Sequence, residues 1–133
     1  MILFWDKNLP KTIPQALLTL NLSAGTEYYL SHFPLSDTYK EGGDDWWLAR
    51  VGAGGWTVLT QDWSFHTKDP ELRAVKDYKI GCFYLWGPKA PKWEILRCFA
   101  RAYDRIIEAD AITPKPFIYW VSKTGILKPE PIP

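Results

Sequence analysis

The run Ile80-Gly81-Cys82-Phe83-Tyr84-Leu85-Trp86 carries no charge, and that feature narrows the fold more than any other. A strand without polar alternation is buried on both faces, which is the habit of parallel sheets covered by helices above and below. Other short strand-like runs recur at Ile2–Trp5, at Trp56–Thr60 and at Phe117–Ser122, and at Glu27–Leu30 with one charge at its start. Between them the apolar residues switch to helical spacing. Ile13, Leu17, Leu18 and Leu20 mark a stripe on a helix near 11–21, and Leu96, Phe99, Ala100, Tyr103 and Ile107 mark the inner face of a long one over 91–110. Asp69-Pro70-Glu71 is a helix start, with an aspartate cap, proline in the first turn and an acid beside it, for a helix reaching about Lys79. Another helix begins at Gly43 or Asp44, runs to about Ala53 and closes at Gly54-Gly55. His32 to Gly43 is loop-like.

Strands that alternate with helices in this way predict an α/β fold, a three-layer α/β/α sandwich with a mainly parallel central sheet. A length of 133 residues suits a single domain, 1–133. Ser122 to Leu127 predicts a hairpin through Gly125, and the proline-rich segment 128–133 an extended tail. Sixteen basic against fifteen acidic side chains leave a net charge of +1, so no global field draws the protein to a polyanion and any such recognition is local. No apolar stretch reaches the roughly 20 residues a membrane span needs. The N-terminus shows no secretory signal, so cytoplasmic residence is the default expectation. Cys82 and Cys98 lack metal-site spacing and read as buried thiols. The eight tryptophans suit either a core or a surface that stacks sugars or bases.

Three aspartates stand out by position. Asp6 follows the first run and Asp62 the Trp56–Thr60 run, while Asp44 sits at the start of the helix leading into that run. In a parallel α/β sheet the carboxyl ends of strands and the amino ends of following helices share one edge. Each residue alone is an ordinary turn or cap residue. Together they predict one acidic crevice, and a divalent cation is the natural neutraliser of such a crevice. Asn8 is placed to orient Asp6 or add a neutral oxygen, Thr60 to hydrogen-bond a carboxylate, and Asp45 competes with Asp44 for the inward position. Lys7, Lys11, His66, Lys68 and Arg73 flank the edge as candidate contacts to a phosphate backbone, each with the alternative of a solvated surface charge.

Phe4-Trp5-Asp6-Lys7-Asn8-Leu9-Pro10, Asp44-Asp45-Trp46-Trp47-Leu48-Ala49 and Gly55-Trp56-Thr57-Val58-Leu59-Thr60-Gln61-Asp62, in this order and with an offset of sixteen from Asp44 to Thr60, resemble the PIN-like domain of VapC-type toxin ribonucleases from toxin–antitoxin pairs. Pro116-Phe117-Ile118 with Gly125 is similar to the ending of that branch. The resemblance implies an Mg²⁺- or Mn²⁺-dependent endoribonuclease whose metal-binding and catalytic acids are Asp6, Asp44 and Asp62. It implies RNA as substrate, cut by a water that the metal activates, a cognate antitoxin protein lying across the crevice, and a homodimer. Many PIN nucleases use a further acid from a helix before the position of Asp44; here Glu27, Asp37 and Glu41 lie in that interval without a helical setting.

Three other readings compete. A PIN-like module with a degraded acidic site would bind protein or RNA without cutting. A phosphohydrolase using Asp6 as covalent nucleophile would want a second acid where Asn8 stands. Trp46, Trp47 and Trp63 admit a carbohydrate-binding surface, although Trp47 falls on a buried helix face.

Overall fold

A computed structural model describes residues 1–22, 24–29 and 45–133, Asp45 and Trp46 by their backbone alone. The expected loop over 32–43, and with it the helix cap at Asp44, lies outside the described residues. The described chain runs β1 (Ile2–Trp5), α1 (Thr12–Leu20), β2 (Gly25–Tyr28), α2 (Asp45–Gly54), β3 (Thr57–Thr60), α3 (Asp69–Asp77), β4 (Gly81–Leu85), α4 (Lys92–Ile112), β5 (Phe117–Val121) and β6 (Leu127–Pro129). The strands form a sheet in the order β2-β1-β3-β4-β5-β6, parallel except for β6. This is the three-layer α/β/α sandwich. No helix among the described residues is long and apolar enough to cross a membrane.

Alternation along the central strands explains their unbroken apolar sequence. Leu3, Trp5, Leu59, Phe83 and Leu85 point to one face and pack with Ile13 and Leu17 of α1 and with Ile95, Phe99, Ala102 and Ile106 of α4. Phe4, Val58, Cys82 and Tyr84 point to the other, against Trp47, Leu48 and Val51 of α2 and Ala74 and Val75 of α3. Both expected buried thiols are buried.

The β1→β2 and β4→β5 crossovers travel in opposite directions across the sheet, yet α1 and α4 cover the same face, so the two have opposite hands. The step from β3 to β4, with α3 on the other face, shares the hand of β1→β2. Given the strong right-handed rule, β4-α4-β5 is the exception. Its helix lies beneath β1 and β3 before the chain returns to β5: Phe99 meets the Trp5 ring edge-on at 4.9 Å, and Asp110 accepts a hydrogen bond from Thr57.

Four expectations need correction. Leu18 and Leu20 were expected in the core, but they are 50% and 66% exposed; α1 buries Ile13, Pro14 and Leu17 instead. On α4 the core stripe is Ile95, Cys98, Phe99, Ala102, Ile106 and Ala109, turned from the expected one because both adjoining faces of this helix are apolar. Asp69 lies inside the first turn of α3, with Lys68 at the cap; its charge still faces the positive end of the helix dipole. The segment expected as a tail begins as β6, pairing antiparallel with β5. Beyond it the Glu130 N–H donates to the Ile118 carbonyl at 2.8 Å, and Ile132 packs on the core.

The Gly54-Gly55 stop behaves as read. Gly55 takes φ +68°, its N–H reaches the Gly52 carbonyl and the Trp56 N–H that of Val51. These are the two bonds of a Schellman cap.

Candidate functional site

Asp6 and Asp62 stand at the carboxyl ends of β1 and β3, next to where the chain leaves β1 in one direction and β3 in the other. Such a switch point is where open α/β sheets bind ligands. The Asp6 N–H continues the ladder by donating to the Leu59 carbonyl at 3.0 Å, which fixes Asp6 beside Thr60. Asp6 is only 3% exposed.

The Thr60 hydroxyl ties the site together. The Asp62 N–H (2.9 Å) and the Asn8 side-chain amide (3.2 Å) both donate to it. The Asn8 orientation follows from its other end, whose oxygen accepts the Gln61 N–H at 3.1 Å. With both lone pairs used, the one hydroxyl proton goes to Asp6 Oδ2, 2.8 Å away. Asp6 Oδ1 accepts the Lys7 N–H at 2.7 Å. Both oxygens of Asp6 therefore face donors, an environment that suits a carboxylate anion. Asp62 Oδ1 accepts from the Ser64 N–H and hydroxyl, which anchors the turn after β3. The charges of the two acids converge on the Cys82 thiol of β4, which is held well above the usual thiol range by burial first, then by Asp6 and Asp62.

Asp6, Asp62, Asn8 and Thr60 thus come together. Asp44 lies outside the described residues, as do Asp37 and Glu41; Asp45 begins α2, its side chain also outside them. Glu27 sits partly buried in β2. Among the described residues no three Asp, Glu, His or Cys side chains gather as a metal cage. The donors present are all oxygen, the type that Mg²⁺ and Mn²⁺ prefer.

The expected basic residues divide. Lys7 and Lys11 border a concavity with Asp6, Tyr28 and Tyr29, and Lys7 Nζ stands 5.4 Å from the Tyr29 ring centre. Lys68 opens α3, and Arg73 lies one turn on, in a shallow depression with Asp69, Leu72 and Lys76. His66 is engaged at both ring nitrogens. Nε2 pairs with Glu130 at 2.9 Å and Nδ1 with the Tyr84 hydroxyl at 2.8 Å, which leaves neither nitrogen to act as a general acid. Sequence reasoning missed Ser64, Tyr84 and Glu130, because each is placed by a strand neighbour or turn that spacing does not reveal. It also left open the placement of Trp63, Trp86 and Trp120. All three line a groove with Tyr84 and Lys128 at the ends of β3 to β6.

The family model described as "PIN like domain" matches residues 1–87, more than half of the chain and all of the elements that carry Asp6, Thr60 and Asp62. No curated protein and no solved structure matches significantly.

Proposed function

The chain belongs to the PIN-like domain family, and from that premise we propose that it is a metal-dependent endoribonuclease, the toxin of a toxin–antitoxin pair. PIN-like domains are often nucleases. The observation that carries the reading is the Thr60 hydroxyl holding Asp6 and joined to the amide of Asp62 at the switch point of the sheet. Asp6 and Asp62 would hold an Mg²⁺ or Mn²⁺ ion, with Asp44, or Asp45 in its place, completing the set. Such an ion supplies charge that activates a water for in-line attack on phosphorus and neutralises the leaving oxygen. The chain's own contribution is positional. Thr60 and the Lys7 amide hold and aim the Asp6 carboxyl group, Asn8 fixes Thr60, and Lys7 and Lys11 offer cations to the RNA backbone. The cognate antitoxin would cover this crevice. A second copy would meet the exposed apolar side of α1 and α4, where Leu20 and Trp93 are 66% and 62% exposed.

The test is RNA cleavage with added Mn²⁺. Asp6→Asn and Asp62→Asn should keep the fold by circular dichroism and lose cleavage by at least about a hundredfold, the scale of losing a group that acts in the transition state. Parental rates in both variants would refute the mechanism.

A second reading, a PIN-like binding module without catalysis, is favoured by one observation. Both Asp6 oxygens and one of Asp62 are already bonded within the protein, and no third acid joins them among the described residues. Calorimetry separates the two: a nuclease binds Mn²⁺ in a manner lost on Asp6→Asn, and a degraded pocket shows no such binding.

A further inference from the structure

We propose that the groove at the ends of β3 to β6 is a base-stacking subsite for single-stranded RNA, which holds an unpaired nucleobase next to the acidic crevice. This extends the nuclease reading and rests on it for the identity of the ligand. The groove encloses about 370 Å³, and three of the four tryptophans that are at least partly exposed among the described side chains line it. Trp63 directly follows Asp62 and is 40% exposed, so the groove opens on the same sheet edge as the carboxylates. Three of its rings brace one another: Trp120 meets Trp63 edge-on at 5.1 Å and Tyr84 at 4.8 Å, and the Trp120 indole N–H donates to Glu130 at 3.3 Å. Rigid aromatic faces beside a phosphate-directed site are what sequence-tolerant binding of single strands uses.

Charge fits the same occupant. Among the described residues no acidic side chain lines the groove, although Glu130 bonds the Trp120 indole, whereas Lys128 does line it, and the Lys123 ammonium stands 5.2 Å from the Trp86 ring centre. A backbone in the groove has these two cations near it, and Trp63 joins the groove directly to Asp62 in the chain. A sugar would want a ring of hydrogen-bonding groups around the stacked face, and beyond Ser122, Lys128 and the phenol of Tyr84 the lining offers few. Tyr84 is moreover already engaged with His66.

Fluorescence anisotropy of a labelled ten-residue oligoadenylate, in EDTA so that no metal-dependent step contributes, tests the subsite. The parent should bind it about tenfold more tightly than the same oligonucleotide with abasic positions at its centre. Trp63→Ala and Trp86→Ala should each weaken binding about tenfold, the scale of losing one stacked base, and Trp63→Phe should restore most of it. Equal affinity for intact and abasic strands would overturn the proposal, with no variant needed. So would unchanged binding by a folded Trp63→Ala protein, or binding of a cello-oligosaccharide in place of RNA. The Asp6→Asn cleavage assay judges the nuclease reading separately. Tryptophan-dependent binding without any metal-dependent cleavage would sustain the groove and sink the enzyme; Asp6-dependent cleavage with tryptophan-independent binding would do the reverse.

Discussion

One hydroxyl at Thr60 serves three partners, and its loss would expose how much of the site it holds. The residue is fully buried, so Thr60→Val keeps shape but removes the hydroxyl that the Asp62 and Asn8 donors reach and that donates to Asp6 Oδ2. A buried unsatisfied group costs about 1–3 kcal/mol. Thr60→Val should lower unfolding free energy by about that much in urea titrations, whereas Thr60→Ser, which keeps the oxygen, should lose less than half of it. Equal losses would show that the methyl group matters and the hydroxyl does not. Two other buried groups set a pH limit. Cys82 is held above the ordinary thiol range by burial and then by Asp6 and Asp62, and Tyr84 above the ordinary phenol range by burial and then by Cys82. Unfolded, they ionise near about 8.5 and 10; folded, both stay neutral. The native state then binds more protons in that window, so stability is complete below about pH 8.5 and falls as pH rises above it. Urea midpoints at pH 7.5 and 10.5 should show the drop, and Cys82→Ala should flatten it. The placement of Asp6 and Asp62 at one sheet edge was legible because strand ends fix an edge whatever the loops do. The pairing of His66 with Glu130 was not, since those residues lie far apart in the chain and meet only after β6 folds back.

Among the elements, α2 and α3 approach closely because one of them lacks a side chain at the contact. A Cβ built on Gly52 would stand 2.7 Å from Tyr78 Cβ and 2.9 Å from the Tyr78 carbonyl oxygen. Alanine gains up to about 1 kcal/mol in helix propensity over glycine, but here backbone would have to move, and overpacking costs about 1–3 kcal/mol. Gly52→Ala should therefore destabilise, with an unchanged urea m-value. A stabilised variant would mean that the helices separate freely. The strands were legible because burial on both faces writes an uninterrupted apolar run, as in Gly81–Leu85. The rotation of α4 was not. Leu96, Ala100 and Tyr103 are as apolar as the Ile95, Cys98 and Ala102 face that packs on the sheet, and only the position of α1 leaves the first set lining the groove between α1 and α4. Periodicity reports an amphipathic helix, and it loses direction when two adjoining faces are both apolar.

For the whole molecule, the last residues decide whether the carboxyl edge has a wall. Prolines at 129, 131 and 133 suggested a chain with little to hold it, because proline offers no donor to a ladder. At an edge strand that deficit costs nothing, and Glu130 supplies the anchorage that the prolines cannot. Its carboxylate joins His66 at 2.9 Å on the turn after β3 and the Trp120 indole at 3.3 Å on β5, tying the end of the chain to the segment that begins at Asp62. Glu130→Ala removes both bonds from partly exposed partners, so the expected loss is about 1 kcal/mol. The more telling effect should be local. With Glu130 gone, amide hydrogen exchange should quicken in residues 63–67 and in β6, while α1 and β2, on the far side of the sheet, keep parental rates. A uniform rise in exchange across the molecule would mean instead that the segment after β6 supports global stability and has no special tie to the edge where the carboxylates and the tryptophans meet.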